Sequence, residues 1–419
     1  MKKIIYALLS FFLACGFQSC ANDEKEVFDK SASERMSEAL ATYSNILQAP
    51  KNGWLLKYYA GTGYSYGGYN TIVSFANGKV TAASEIASPD AVYHSSYALV
   101  SDQGPVLTFN TYNPILHYFG SPSYGSLDGY QGDFEFVIMS ASTDSIVLKG
   151  KKWANKMVMT PMPESMNWET HLDSIVKIED ENPYIDYKGV VDNKNVKLSF
   201  SDSWHVMSVE VDGSIASTPS FIYSSTGIKF HTPVDIAGHS FESLTWNVTD
   251  TIFSGKAVDG TLGSFKVYIS PEYKKYLGAW SVDINKTLYS MLVSEKVPGQ
   301  SFIVSGPKLP FPFVAIYNSA DDKVSVISQT VGEYNGYIVK LCPWDAKATY
   351  FTKNEGIGME SKITSLNPLT LTFSDNGMWP GYTIDSYLLY LFDSADAYFG
   401  IYSGGTAKFP YINGAVKVN

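Results

Sequence analysis

From about residue 54 onward the chain is written in hairpin words, short runs of β-branched and aromatic residues separated by turn signals. The clearest is TIVSFANGKV. Thr71, Val73 and Phe75 alternate with Ile72 and Ser74, and Asn77-Gly78 is a dipeptide suited to the positive φ angles of a two-residue hairpin turn. SYALVSDQGPVLTFN repeats the pattern, as does DFEFVIMSASTDSIVLKGKK, which turns near Thr143-Asp144. FVAIYNSADDKVSVISQ turns at Asp321-Asp322, and LTLTF, SYLLYLF and YFGIYS supply further strands. A chain so punctuated buries its apolar faces by closing or stacking antiparallel sheets. The 30 Tyr, 23 Phe and 8 Trp agree, because rings pack well on half-buried pleated surfaces.

Two segments read as helices. Ser31-Ala32-Ser33-Glu34 is a capping box, and Met36, Leu40, Tyr43 and Leu47 follow at helical spacing until Ala49-Pro50 stops the run. The second spans Ser165 to Lys177, with Trp168, Leu172, Ile175 and Val176 on one face.

The first twenty residues constrain location. MKK is a basic start, IIYALLSFFLACGF is apolar but too short to span a bilayer, and FQSCANDEKE follows. A cysteine preceded by the small Ser19 at the end of such a run has the form of a bacterial lipobox, so Cys20 is the expected first mature residue and lipidation site. Cys15 is a rival, but the apolar run continues to Phe17, and an ordinary secretory leader is the plain alternative. Loss of the leader removes Lys2 and Lys3 and takes the formal charge from −10 to −12. An acidic chain repels phosphate backbones, so nucleic acid is not an expected partner. With Cys20 acylated, only Cys342 remains, so no internal disulfide can form. Cys342, in YIVKLCPWD, is expected to be a buried small hydrophobe rather than a nucleophile.

The chain is long enough for two or three cores. The expected fold is mainly β: tandem antiparallel barrel- or sandwich-like (lipocalin-like) domains with an N-terminal helix. The expected divisions are a lipoprotein signal peptide at 1–19, a tether at 20–30, the helix plus a first β domain at 31–180, a second β module at 181–272 and a C-terminal β domain at 273–419. An internal echo supports two related modules, roughly 30–160 and 184–270. Thr143-Asp144 corresponds to Thr249-Asp250, Gly150-Lys151 to Gly255-Lys256, and the run into Gly104 before PVLTF to SFIYSSTG before IKF. Common hairpin words can produce such an echo by chance.

Chemical motifs are sparse. GYSYG at residues 63–67 matches the serine-hydrolase elbow formally, but the sequence after it reads as a strand and hairpin rather than a helix, so Ser65 is not expected to be a nucleophile. Gly61 and Gly63 begin a dinucleotide pattern that Tyr66 breaks. The stretch GTGYSYGGYN has two readings: a mobile glycine loop, or a loop displaying Tyr64, Tyr66 and Tyr69 for stacking on sugar faces. His231 and His239, with Asp235 between them, lack the tight spacing of zinc ligands. NSADDK and DSADA lack the calcium pattern and read as solvated turns. No metal or cofactor is expected, and no catalytic residue is assigned.

GWLLKYY, GGYNTIVSFANGKV, GPVLTFNTYNPILHYF, GDFEFVI with IVLKGKK, and TGIKFHTPVDIAGHSFESLTW together resemble a family of Bacteroidetes lipoproteins, domain of unknown function 4302. The likeness is clear from about residue 28 to 270 and weaker beyond. It implies an accessory lipoprotein of outer-membrane nutrient-uptake systems of the SusC/SusD type, lipid-anchored and facing outward, and it carries over no active residue. Asp23, Glu24 and Glu26 are similar to the surface-export tag of such proteins. The expected function is non-enzymatic capture or hand-over of a glycan or peptide, with transporter components as partners. A hydrolase with an unrecognised carboxylate site and a purely structural transporter partner are the alternatives. The hydrolase reading requires a deep cleft with converging carboxylates or histidines.

Overall fold

The computed structural model describes residues 29–102, 104–122, 126–201 and 203–418, so the signal peptide, Cys20 and most of the tether lie outside the described residues. The first helix, Ala32–Gln48, begins at the expected capping box: Ser31 Oγ accepts from Glu34 N at 3.2 Å, and Ser31 N donates to Glu34 Oε2 at 3.0 Å. Leu47 is fully buried, Tyr43 and Ile46 pack on the neighbouring core, and Trp54 Nε1 donates to Leu47 O at 2.9 Å. Trp54 thus ties the helix end to the strand that follows it.

That strand, Trp54–Tyr59, opens an eight-stranded barrel in which each strand pairs with the next, and the last, Lys156–Pro161, returns to the first with Trp54 opposite Pro161. Such an up-and-down closure leaves no free edge. Asn77 and Gly78 form the expected hairpin turn with φ of 48° and 74°, Ala76 pairing with Lys79. Both faces of the strand Gly68–Ala76 are buried. Val73 and Phe75 point into the barrel, and Ile72 packs outward on Leu172 of the second helix. That helix runs Trp168–Asp180, three residues later at each end than its apolar spacing suggests, because Asn167 caps it by accepting from Thr170 N at 2.9 Å.

The second sheet has nine strands between Asp186–Val191 and Leu262–Val267, again with first paired to last. No ladder joins Ser214–Ser217 to Phe221–Ser224, because they are consecutive parts of one bent strand. The bridge of Val206 to Ser220, with Met207 N donating to Pro219 O at 3.1 Å and Phe221 N to His205 O at 2.9 Å, continues the pairing of Met207–Val211 with Ser214–Ser217, and Ser220 O accepts from His231 N at 3.0 Å where the segment passes to Gly227–Ile236. Counted back from the closing strand, the echoed words fall on matching strands. Thr143-Asp144 turns the hairpin between Glu135–Ala141 and Ile146–Gly150, and Thr249-Asp250 turns that between His239–Asn247 and Ile252–Lys256. In each case one more strand follows and closes on the first. With 214–224 counted as one bent strand, the second sheet is therefore the same eight-strand meander.

The C-terminal region holds a second closed barrel of eight strands, from Gly278–Ile284 to Ile412–Lys417, and a six-stranded sheet built from the chain that leaves the barrel between residues 329 and 351 and between 386 and 409. Leu341, Tyr387 and Leu389 of that sheet share the barrel's core. The fold is thus mainly β and barrel-forming, with its first helix at the N-terminus.

Two turns expected to be merely solvated are not. Asp322 pairs with Lys275 and accepts from the hydroxyls of Tyr276 and Tyr317 at 3.3 and 3.2 Å. Asp396 joins Lys340 at 2.7 Å and Lys353 at 2.9 Å. In both, a sequence-distant lysine reaches the turn, which local pattern cannot reveal. Cys342 is fully buried as expected, and burial pushes its thiol up to about 12, leaving no thiolate at neutral pH.

Candidate functional site

The outer side of the strand Phe221–Ser224 and the loop leading into Met207–Val211 face the first barrel. Asn70 Nδ2 donates to Tyr223 O at 2.9 Å, and the His205 ring, through Nδ1, meets Gly68 O at 2.6 Å. Gly67 makes the approach possible: its φ is +78°, and a Cβ there would lie 2.3 Å from His205 O. The barrel strand Gly68–Ala76 thereby shields the edge strand Phe221–Ser224.

At this junction lies a pocket of about 430 Å³ lined by Tyr69, Glu85, Ile86, Tyr118, Tyr130, Glu179, Ser203, Trp204 and His205. Each side chain arrives by a local device. Pairing of Thr71 with Ser84 sets Glu85 beside Asn70, whose backbone N and Nδ2 donate to the two carboxylate oxygens at 2.7 and 3.0 Å. Tyr118 and Tyr130 flank Phe119, a buried anchor whose carbonyl accepts from Tyr130 N at 2.8 Å. Ser201 Oγ accepts from Trp204 N at 3.2 Å and shapes the loop that presents Trp204 and His205. Glu179 closes the second helix.

The rings form a continuous wall. Trp204 lies 4.7 Å from Tyr130 and 4.6 Å from Tyr66, and Tyr69 stacks on His205 at 4.1 Å. The sequence readings placed Tyr64, Tyr66 and Tyr69 on an exposed or mobile loop. Here Tyr69 is buried and lines the pocket, Tyr66 backs two lining rings, and Tyr64 packs on His231 at 4.0 Å, away from the pocket. The loop is shaped by the second sheet pressing on it, a contact local glycine content cannot report. Ser65 is followed by a strand rather than a helix, and so lacks the elbow's context.

Electrostatics concentrate on three groups. His205 Nε2 lies 3.1 Å from Glu179 Oε1, while Nδ1 faces a carbonyl, so both ring nitrogens meet acceptors and the imidazolium satisfies both. Burial alone would lower its pKa; the hydrogen bond and charge of Glu179, then Glu85 and the Gly68 carbonyl, raise it above the ordinary value. For Glu85 burial dominates and pushes the carboxyl up to about 7, against the opposing effects of His205 and Asn70. The pocket thus offers a carboxyl with raised proton affinity, a second carboxyl group and an imidazole held between two acceptors beside flat aromatic faces. His239, 2.7 Å from Asp259, belongs to a separate surface pair; among the described residues no group of three or more His, Cys, Asp or Glu has the arrangement to hold a metal ion.

The model of domain of unknown function 4302 matches residues 24–248. The chain belongs to that family. Every residue lining the pocket falls within the 4302 region, which also contains the first barrel and all but the last two strands of the second sheet. A second model, domain of unknown function 4987, matches residues 265–390, most of the C-terminal barrel and sheet. No curated protein matches the chain.

Glu85, Tyr118, Tyr130, Glu179, Trp204 and His205 were not singled out from sequence. They come from five separate segments over more than a hundred residues, and no local word joins them.

Proposed function

We propose that the 4302 region captures a small polar ligand, a glycan by preference, in the pocket between the first barrel and the second sheet. The protein would act as a lipid-anchored, cell-surface accessory of an outer-membrane nutrient-uptake system. The observation that carries the ligand reading is the wall of Tyr69, Tyr118, Tyr130 and Trp204 facing Glu85 and Glu179. Aromatic faces suit sugar C–H surfaces, carboxylates accept sugar hydroxyls, and the volume lies within the range of small-molecule sites, roughly 300–1,000 Å³. The lipobox at Cys20 and the acidic Asp23, Glu24 and Glu26 support anchoring and export. Several acyl chains at one terminus hold such a protein stably.

The test is a glycan and peptide binding screen on residues 21–419, with Trp204→Ala as control. Retention of a glycan that W204A loses supports the reading; a screen with no hits, or hits indifferent to W204A, removes it and favours a structural partner of a transporter. Mass spectrometry showing Cys20 without lipid overturns the anchor, and full protection from protease on intact cells overturns the outward face.

One observation favours a hydrolase as the second reading. A carboxyl near pH 7 beside another carboxylate is suited to proton donation to a leaving group. Product analysis of each binding hit separates the two: turnover lost in Glu85→Gln with binding retained supports the enzyme, and intact ligand after prolonged incubation excludes it.

A further inference from the structure

The C-terminal barrel contains a cavity of about 120 Å³ whose wall is almost wholly hydrocarbon. Trp280, Val304 and Met359 project into it from barrel strands, and Leu389 closes it from the six-stranded sheet. The two lining tyrosines bring no free hydroxyl. Tyr387 Oη donates to Val326 O at 2.7 Å and accepts from Met359 N at 2.9 Å, and Tyr276 Oη donates to Asp322 O at 2.8 Å. A water molecule needs two to four polar partners, and this wall supplies none that is uncommitted. The space is therefore unsuited to water.

Its size has a chemical meaning. Apolar cavities near 150 Å³ stay dry and accept benzene or xenon. Two alanines, Ala315 and Ala415, line the space although neighbouring positions carry large side chains, so the volume is built where small residues stand. The wall reaches Leu309, Pro310 and Phe311, which are only partly buried, and that segment gives a short path from solvent. We propose that the C-terminal barrel is a second binding site, for a small apolar guest of about the size of one aromatic ring or a short alkyl chain. This site is independent of the polar pocket and lies mostly within the 4987 match.

Benzene is the probe, titrated into the full mature chain with methyl groups of Ala, Met and Leu observed by NMR. The expected result is saturable, one-site behaviour with shifts centred on Ala315, Ala415 and Met359. Ala415→Leu fills the space and should weaken binding by at least about tenfold. Ala315→Val is the milder variant if A415L fails to fold, and should weaken binding in the same direction. The absence of saturable shifts in the wild type up to the solubility of benzene, or equal binding by a folded filled variant, overturns the proposal. Loss of glycan binding in W204A leaves this result unchanged, so the two sites stand or fall separately.

Discussion

Replacing Glu85 with Gln should change how stability depends on pH, and the size of the change follows from the pocket. The carboxyl's ordinary value is 4.5, and burial raises it to about 7. Between those values the folded protein holds a proton that the unfolded chain has released, so raising the pH favours unfolding. Each pH unit in the window contributes about 1.4 kcal/mol, giving a loss of about 3 kcal/mol by the upper end and no further loss from this group above it. Gln cannot titrate. It also leaves one of the two Asn70 donors without its acceptor, but that cost, about 1 kcal/mol, does not vary with pH. Denaturant unfolding of both proteins from about pH 4 to 8 isolates the term, because other titrations largely cancel in the difference. The wild type should lose stability relative to E85Q as the pH rises, with most of the change below about pH 7. Parallel profiles, or a wild type that gains on E85Q with rising pH, would refute the claim that burial dominates at Glu85.

His205→Ala removes the bonds to Gly68 O and Glu179 and should destabilise the junction by about 2 kcal/mol, the lower end for a charged group because Glu179 is partly exposed. Since the His205 value is raised, its contribution is complete below about pH 6.5 and fades as pH rises through the folded value, so the gap between wild type and H205A should narrow toward alkaline pH in unfolding experiments. The same variant should move the Glu85 titration, followed by carboxyl-carbon NMR, further upward, because His205 favours the carboxylate. Gly189→Ala places a Cβ 2.0 Å from Ser264 O at the strand pair that closes the second sheet, and thermal unfolding should register about 1–3 kcal/mol of destabilisation. Cys342 should resist thiol reagents in the native protein and react only on unfolding; prompt labelling would contradict its burial.

Much of the fold was legible because its rules are local. The capping box at Ser31 and Glu34, the Asn77-Gly78 turn and the SYLLYLF strand each depend on a few consecutive residues, and each stands where the pattern put it. What was hidden depends on closure. The pairing of Trp54 with Pro161 spans over a hundred residues, and nothing in either segment announces it. The second helix starts later than the expected Ser165 because the side chain of Asn167 supplies its N-cap. The site was less legible still. Of the three tyrosines read as candidates, only Tyr69 lines the pocket, and His205, the ring at its centre, stood among six histidines with no motif around it.

The location of the pocket follows from how two related meanders are joined. A barrel that closes completely has little reason to touch its neighbour, because all its backbone groups are paired. The second meander keeps one short edge. The bent strand at 214–224 pairs with the strand Met207–Val211 and its extension only as far as Phe221 and His205, beyond which the chain departs as the loop that carries Trp204, and the far side of Phe221–Ser224 is left for another partner. The first barrel covers that edge with the strand that bears Tyr69 and Asn70. Two curved surfaces meeting along one strand cannot match everywhere, and the mismatch is lined by whatever each side presents there: rings and an amide-held carboxyl from the barrel, a tryptophan, a histidine and the Glu179 carboxylate from the other side. On this argument the covered edge and the pocket are one feature. Asn70→Ala removes the bond from the first barrel to Tyr223 O and should weaken glycan retention while leaving the first barrel folded, and undiminished retention by that variant would separate the pocket from the covered edge.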